Sequence, residues 1–193
     1  MVYKATYNNV KIASKFILNG DIIIYPTDTI YGFGVDATNS LAINNLNILK
    51  KRIQPYSIIV DSFSMLNKYS EIDKTIEDKL RNFFPGAFTA ILRKKDSNLS
   101  KLVNCGLTTI GIRIPSYKFV QNIVKNINKP IITTSVNIHG ENPLNNIDDI
   151  IEKYSNLNIF IDGINKASKG STIIDFSGNT NKLLRQGDGI YKK

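Results

Sequence analysis

The stretch YPTDTIYGFG, residues 25–34, follows directly on an apolar run and places hydroxyl groups, a carboxylate and two glycines in a short segment. Residues 21–25, DIIIY, predict a buried strand, because β-branched residues bounded by turn formers suit a strand covered on both faces. Pro26 has no N–H to donate and therefore ends the strand. The polar side chains after it are expected at a strand end, where α/β sheets bind ligands. A plain polar turn is the alternative.

Strand and helix patterns continue along the rest of the chain. Helices are predicted at residues 8–19, 41–52, 73–84, 116–128 and 148–154. Further strands are predicted at residues 56–60, 87–93, 108–114, 130–134, 157–161, 172–176 and 183–185. Because the regular βαβ rhythm is lost near the end, the pattern indicates a mixed sheet. Without an internal repeat or linker, we expect one domain over residues 1–193.

Composition limits the class of protein. Lys and Arg total 25 against 16 Asp and Glu, and the net charge of +9 favours polyanionic partners, either nucleic acid or phosphorylated small molecules. The start of the chain lacks the apolar segment of a signal peptide, and no apolar run has the length of a membrane span, so we expect a cytoplasmic protein without membrane contact. Cys105 and His139 are the only residues of their types, which excludes a disulfide framework or a Cys/His zinc site within one chain.

Two predicted elements, one helix and one strand, carry positively charged side chains at or near their C-terminal ends. The helix at residues 41–52 ends in Lys50, Lys51 and Arg52, where cations also suit the helix dipole. Its buried side is predicted from the apolar residues Leu41, Ala42, Leu46 and Leu49. In the strand at residues 108–114, alternation places Arg113 on the polar face, which is expected to be wet and basic.

The residue inventory favours anion chemistry. A nucleophile activated by a histidine would need His139, because the sequence has no other histidine. The GxxxxGK[ST] and GxGxxG phosphate motifs are missing. Thr, Ser and Asn instead recur at strand ends, together with Lys50, Arg52, Arg113 and Arg185. Such a set binds anions and stabilises charge that develops on a phosphate.

Seven short motifs then occur in a characteristic order. They are YPTDTIYGFG (25–34), KKR (50–52), PGAFTAIL (85–92), TIGIRIP (109–115), TTSVNIHGENP (133–143), STIID (171–175) and LLRQGDG (183–189). With these motifs the sequence resembles the YrdC-type threonylcarbamoyl-AMP synthase family, in a single-domain form, over nearly its full length. The resemblance implies an α/β fold in which a twisted mixed β-sheet, flanked by helices, surrounds a basic concave cleft.

The resemblance also implies a reaction. L-Threonine, bicarbonate or CO2, and ATP would yield threonylcarbamoyl-AMP and pyrophosphate, which makes the protein an L-threonylcarbamoyladenylate synthase and a nucleotidyltransferase. Mg²⁺ is expected to accompany ATP. Other proteins would then transfer the threonylcarbamoyl group to an adenosine of tRNA. The carbamate of threonine is itself the nucleophile, so the protein mainly holds anions in line.

Individual roles follow from the same resemblance. Catalytic roles, on the phosphates and the carbamate, are implied for Lys50, Arg52, Ser135 and Asn137. The residues that match the threonine pocket are Thr27, Arg113 and Ser171. The residues that match nucleotide contacts are Lys50, Arg52, Thr109, Thr133, Ser135, Asn137 and Arg185. None is expected to bind a metal.

Alternatives stay open at this stage. Arg113 could form a structural ion pair, and Thr27 or Ser171 could be ordinary turn residues. A protein that binds double-stranded RNA or tRNA without synthase activity would also suit the positive charge. A carbamoyl-transfer module of hydrogenase-maturation proteins is a third possibility, but those carry cysteine clusters and this chain has one cysteine.

The sequence departs from the family pattern after Arg52. The family usually continues through a proline, a second lysine and another proline, whereas IQPYS follows here and the second lysine is absent. Either a neighbouring cation such as Lys51 replaces it, or the loop binds ATP more weakly.

Overall fold

The computed structural model describes residues 1–164 and 167–191. Within this part the α-helices are α1 (Val10–Leu18), α2 (Ser40–Lys50), α3 (Phe63–Tyr69), α4 (Lys74–Arg81), α5 (Lys118–Ile127) and α6 (Ile147–Lys153). The strands are β1 (Val2–Lys4), β2 (Ile23–Tyr25), β3 (Gly32–Gly34), β4 (Ser57–Ile59), β5 (Ser70–Glu71), β6 (Phe88–Lys94), β7 (Thr109–Arg113), β8 (Ile131–Ser135), β9 (Asn158–Ile161), β10 (Thr172–Asp175) and β11 (Lys182–Arg185).

The strands build one mixed sheet. Its order is β1-β9-β2-β3-β8-β4-β7-β6-β10-β11, and β5 pairs with β6 outside this path. The pairs of β9 with β1 and β2, of β4 with β7, and of β6 with β10 are parallel, and the other pairs are antiparallel. The predicted fold class, an α/β fold with a twisted mixed sheet and flanking helices, is confirmed. No helix among the described residues has the length and apolarity needed to cross a membrane.

The stretch at residues 25–34 is a hairpin. Strand β2 is fully buried, as its β-branched residues predict. Strand β3, which the sequence pattern did not indicate, pairs antiparallel with it, so that Ile23 faces Gly34 and Tyr25 faces Gly32. The polar residues between the two strands therefore form the hairpin loop. Strand β8 pairs with the other edge of β3 and brings this loop beside a second polar segment.

Helix α2 buries part of the predicted face, since Ala42 and Leu46 are buried as expected. Leu41 is 70% exposed, whereas Ile43, Asn47 and Lys50 are buried. The side chain of Asn39 caps the helix by accepting hydrogen bonds from the backbone N–H groups of the first turn. The apolar spacing misses part of the face because it treats Lys50 as a solvent residue, while hydrogen bonds to distant segments allow its burial.

The start of α5 also differs from the prediction. The helix predicted at residues 116–128 begins later, at Lys118, and its N-cap is Tyr117, without a side-chain capping bond. The backbone N–H and the hydroxyl of Ser116 instead donate to Asp28 in the hairpin loop, at 2.9 and 3.1 Å. A distant carboxylate has replaced the local acceptor, which sequence spacing alone does not reveal.

Replacement of Gly34 by Ala tests the close approach inside the hairpin. A Cβ at this position would lie 2.5 Å from Cε1 of Tyr25, whose ring is fully buried. We expect Gly34→Ala to lower the free energy of unfolding by about 1–3 kcal/mol, the usual cost of overpacking, in urea denaturation. Gly178→Ala is the control, since a Cβ there meets no atom within 4 Å. Equal stability of the two variants would contradict the packing.

Candidate active site

A cavity of about 290 Å³ lies where the hairpin loop meets the ends of several strands. Its walls come from the β2–β3 loop, the α2–β4 loop and strands on both sides of the sheet centre. The lining residues are Thr27, Ile30, Gly32, Arg52, Pro55, Tyr56, Ser57, Thr89, Arg113, Thr133, Thr134, Ser135, Ser171, Ile173 and Arg185. Hydroxyl groups and guanidinium groups dominate this set.

The cavity is strongly basic. Arg52, Arg113 and Arg185 line it, and none of the described lining residues is acidic. Burial lowers the pKa of Arg185, and the positive charge of Arg113 lowers it further. Two guanidinium groups that repel each other across one cavity favour the entry of an anion.

Arg113 is buried at the end of β7 and has fixed partners. Its Nη2 lies 2.7 Å from Oδ1 of Asp28, and its Nη1 donates to Oγ1 of Thr29 at 3.2 Å. Burial lowers the pKa of Arg113, and the Asp28 carboxylate opposes that effect. Arg113 thus forms an ion pair, as one alternative had it, and also lines the cavity. The expected wet face of this strand is a polar but largely buried one.

Lys50 lies behind the cavity wall. Its Nζ donates to the backbone oxygen of Ser135 at 2.7 Å and to the backbone and side-chain oxygens of Asn137, both at 2.8 Å. Burial first, and the charge of Arg52 second, lower the pKa of Lys50 from 10.5 to about 7. Three acceptors require three donors, so this set of bonds is complete only while the amine is protonated. Lys50 therefore joins α2 to the segment after β8.

Arg52 occupies the mouth of the cavity. Its guanidinium lies 4.9 Å from the ring centroid of Tyr56 and donates to Gln54 at 3.2 Å, with Thr134 at 3.5 Å. Lys51 is exposed and takes a left-handed conformation with φ of 52°. It does not line the cavity, where Pro55 and Tyr56 occupy the adjacent wall. The charge of the missing second lysine is therefore not replaced inside the cavity by Lys51.

Hydroxyl groups on the opposite wall form a short network. Oγ of Ser171 lies 2.8 Å from Oγ1 of Thr89, and Arg185 donates to the backbone oxygen of Ser171 at 2.7 Å. Oγ1 of Thr27 donates to the backbone oxygen of Ile30 at 2.7 Å. Thr89 was not among the predicted site residues. Its place in the PGAFTAIL motif was the available signal.

The predicted site residues thus fall into three groups. Those that line the cavity are Thr27, Arg52, Arg113, Thr133, Ser135, Ser171 and Arg185. Lys50 and Asn137 lie directly behind Ser135 and bond to each other. Thr109 is at the other end of β7 from Arg113, about 13 Å away at the usual rise per residue of a strand. It lies in a separate depression with Arg93 and Ser177.

Comparison with known proteins places the chain in a family. A family model named for Sua5, YciO and YrdC, with the description "Telomere recombination", matches residues 15–187. The chain therefore belongs to the Sua5/YciO/YrdC family, and the YrdC-type resemblance is confirmed.

Individual relatives agree with this assignment. A threonylcarbamoyl-AMP synthase of Pyrococcus abyssi is 29% identical over 183 residues, which are 92% of this chain and 54% of the synthase. The structure of P. abyssi Sua5 in complex with L-threonine has a TM-score of 0.87 at 27% identity, covering 97% of this chain and 57% of Sua5. E. coli YciO shares the fold, with a TM-score of 0.88 at 22% identity and coverage of 98% and 97%. The chain thus spans little more than half the length of the P. abyssi proteins.

Replacement of Lys50 by Met tests its link to the β8 segment. Met keeps an unbranched side chain as far as the ε position but leaves the acceptors on Ser135 and Asn137 without their donor. Buried acceptors without a donor cost about 1–3 kcal/mol, so Lys50→Met is expected to lower the free energy of unfolding by at least that amount in urea denaturation. Lys51→Met, on the exposed neighbour, is the control and should change it little. Equal effects would show that Lys50 is not a structural link.

Proposed function

We propose that this protein is an L-threonylcarbamoyladenylate synthase, which forms threonylcarbamoyl-AMP and pyrophosphate from L-threonine, bicarbonate or CO2, and ATP. The observation that carries the proposal is the cavity in which Arg52, Arg113 and Arg185 converge without an acidic lining residue among those described. Membership of the Sua5/YciO/YrdC family and similarity to the P. abyssi synthase support it.

The reaction suits a site that positions anions. The threonine amine and CO2 give a carbamate, and a carbamate oxygen then attacks the α-phosphorus of ATP. The bond to pyrophosphate breaks as the new bond forms, and the leaving group carries away the electron pair. Because the substrate itself supplies the nucleophile, the protein contributes alignment and neutralisation of charge.

The cavity walls divide these tasks. Arg113, with the hydroxyl groups of Thr27 and Ser171, would hold the amino acid, since a guanidinium pairs well with a carboxylate. Arg52 and Ser135 would face the phosphates from the opposite wall. Arg185 contacts Ser171 and repels Arg113, so it lies beside the residues proposed to hold the amino acid. This position suits the carbamate and the α-phosphate.

Lys50 and Asn137 take an indirect role in this proposal. Both lie behind Ser135, and the ammonium of Lys50 bonds to Ser135 and Asn137. These bonds support the wall that carries Ser135, which would face the phosphates. The catalytic roles that the family resemblance implies for them would require the Lys50 ammonium to leave at least one of these oxygens.

Magnesium would enter as part of the substrate. Among the described residues no group of three or more His, Cys, Asp or Glu side chains could hold a metal ion. Mg²⁺ is commonly bound through substrate phosphates and water, so Mg–ATP is the proposed form of the nucleotide. Transfer of the threonylcarbamoyl group to tRNA would require further proteins, in the cytoplasm. RNA binding as the main role rests on the net charge of +9 alone.

The proposed reaction requires all three substrates together. We expect pyrophosphate release from Mg–ATP only when both L-threonine and bicarbonate are present, because the carbamate must form before the α-phosphorus is attacked. A coupled pyrophosphate assay with each substrate omitted in turn measures this requirement. Equal pyrophosphate release without threonine would refute the proposed function.

Arg52 is expected to act on the phosphates. Loss of one cation that faces developing charge typically lowers the rate by about 100-fold or more, and Arg52→Ala should show such a loss in the same assay. Arg81→Ala is the matched control, because Arg81 is exposed on α4 and bonds to Glu77 outside the cavity. A similar rate for both variants would remove Arg52 from the proposed mechanism.

A further inference from the structure

Asp28 and Thr29 hold the guanidinium of Arg113 from behind the cavity wall, one at each terminal nitrogen. We propose that Asp28 and Thr29 are positioning residues, which fix the guanidinium of Arg113 in the orientation that binds the carboxylate of the amino-acid substrate. This inference rests on the proposed function. It concerns two residues of the hairpin loop that do not line the cavity themselves.

The carboxylate of Asp28 bridges two parts of the chain. Its Oδ1 accepts from Nη2 of Arg113 at 2.7 Å, and its Oδ2 accepts from the backbone N–H and the hydroxyl of Ser116. The side chains of Arg113 and Asp28 are only 6% and 10% exposed. Three donors on two oxygens leave the carboxylate little freedom to rotate. Asp28 is thus a fixed anchor for one terminal nitrogen of the guanidinium.

Thr29 holds the other terminal nitrogen. Its Oγ1 accepts from Nη1 of Arg113 at 3.2 Å and lies 3.0 Å from Oγ1 of Thr27. Thr29 is 2% exposed, so its hydroxyl group has few other orientations. A guanidinium is planar, and contacts at both terminal nitrogens define its plane. Asp28 and Thr29 together therefore set the direction of the remaining donors.

Those remaining donors are the ones that a ligand would use. A guanidinium has five N–H donors, and Arg113 uses one on Asp28 and one on Thr29. Its Nε is buried and has no partner among the described residues. A planar carboxylate in the cavity is the ligand that pairs with a guanidinium in two parallel bonds. Fixing the guanidinium in advance removes an ordering cost from substrate binding.

Calorimetric titration of Asp28→Asn with L-threonine and, separately, with ATP tests the inference. Asn keeps the shape but loses the charge and one acceptor, so threonine affinity is expected to fall about 10-fold, the range of a charged hydrogen bond, while ATP affinity stays within about twofold. A purely structural role would lower both affinities together. In an Arg113→Ala background the same change should cost nothing further, because Asp28 acts through Arg113.

Asp36→Asn is the matched control. Asp36 is also buried and paired, with Lys129 at 2.6 Å and with the N–H and hydroxyl of Thr38, but it lies outside the cavity. This variant should bind threonine as the wild type does. If it lost as much affinity as Asp28→Asn, the effect would reflect general destabilisation and the inference would be wrong.

Thr29→Val supplies a second variant that keeps the side-chain volume, should Asp28→Asn fail to fold. It removes the acceptor for Nη1 of Arg113 and is expected to weaken threonine binding about threefold to 10-fold. Wild-type affinity in every folded variant of the pair would overturn the inference and leave the proposed function standing. Failure of the wild-type protein to bind threonine would overturn the proposed function, and the inference with it.

Discussion

The buried ion pair between Arg113 and Asp28 is the contact on which the cavity depends. Removal of two charges from water is costly, and such pairs often contribute little to stability. Here the pair joins the hairpin loop to the end of β7 and, through Ser116, to the approach to α5. Loss of one partner would leave a buried charge without compensation. The pair can therefore form only when the hairpin loop and the end of β7 take the positions that shape the cavity.

The mixed sheet explains how distant motifs reach one place. Strand β3 lies next to β8, and β4 lies between β8 and β7, so loops far apart in sequence open onto the same edge. Parallel pairing of β6 with β10 then brings Thr89 and Ser171 together. Strands β4, β6, β7 and β11 each contribute one polar side chain and β8 contributes three, so no single motif could form the cavity. The β2–β3 hairpin completes it because β3 pairs with strands on both of its edges.

The electrostatic character of the cavity follows from its close guanidinium groups. Arg113 and Arg185 repel each other, and burial adds to that cost. Because an anion in the cavity would offset this repulsion, the cavity favours anionic ligands. Asp28 compensates one of these charges from behind the wall, and none of the lining residues in the described part of the chain carries a carboxylate. On the proposed function, this arrangement suits a reaction whose substrates carry all the nucleophiles and negative charge.

The sequence by itself determined most of the element types, the mixed sheet and the polar, cationic character of the motifs, because side-chain periodicity and turn chemistry are local properties. It did not indicate the short strands β1, β3 and β5 or helix α3. It also indicated seven of the fifteen residues that line the cavity, from Thr27 to Arg185. Only the tertiary structure decided that Lys50 lies behind this wall, that Thr109 is too far along β7 to line the cavity, and that Thr89 does line it. Lys50 is buried while Leu41 is exposed, and Ser116 bonds to Asp28. Both observations depend on partners that are distant in sequence. Local sequence patterns do not reveal such partners, because only the pairing of the strands brings them together.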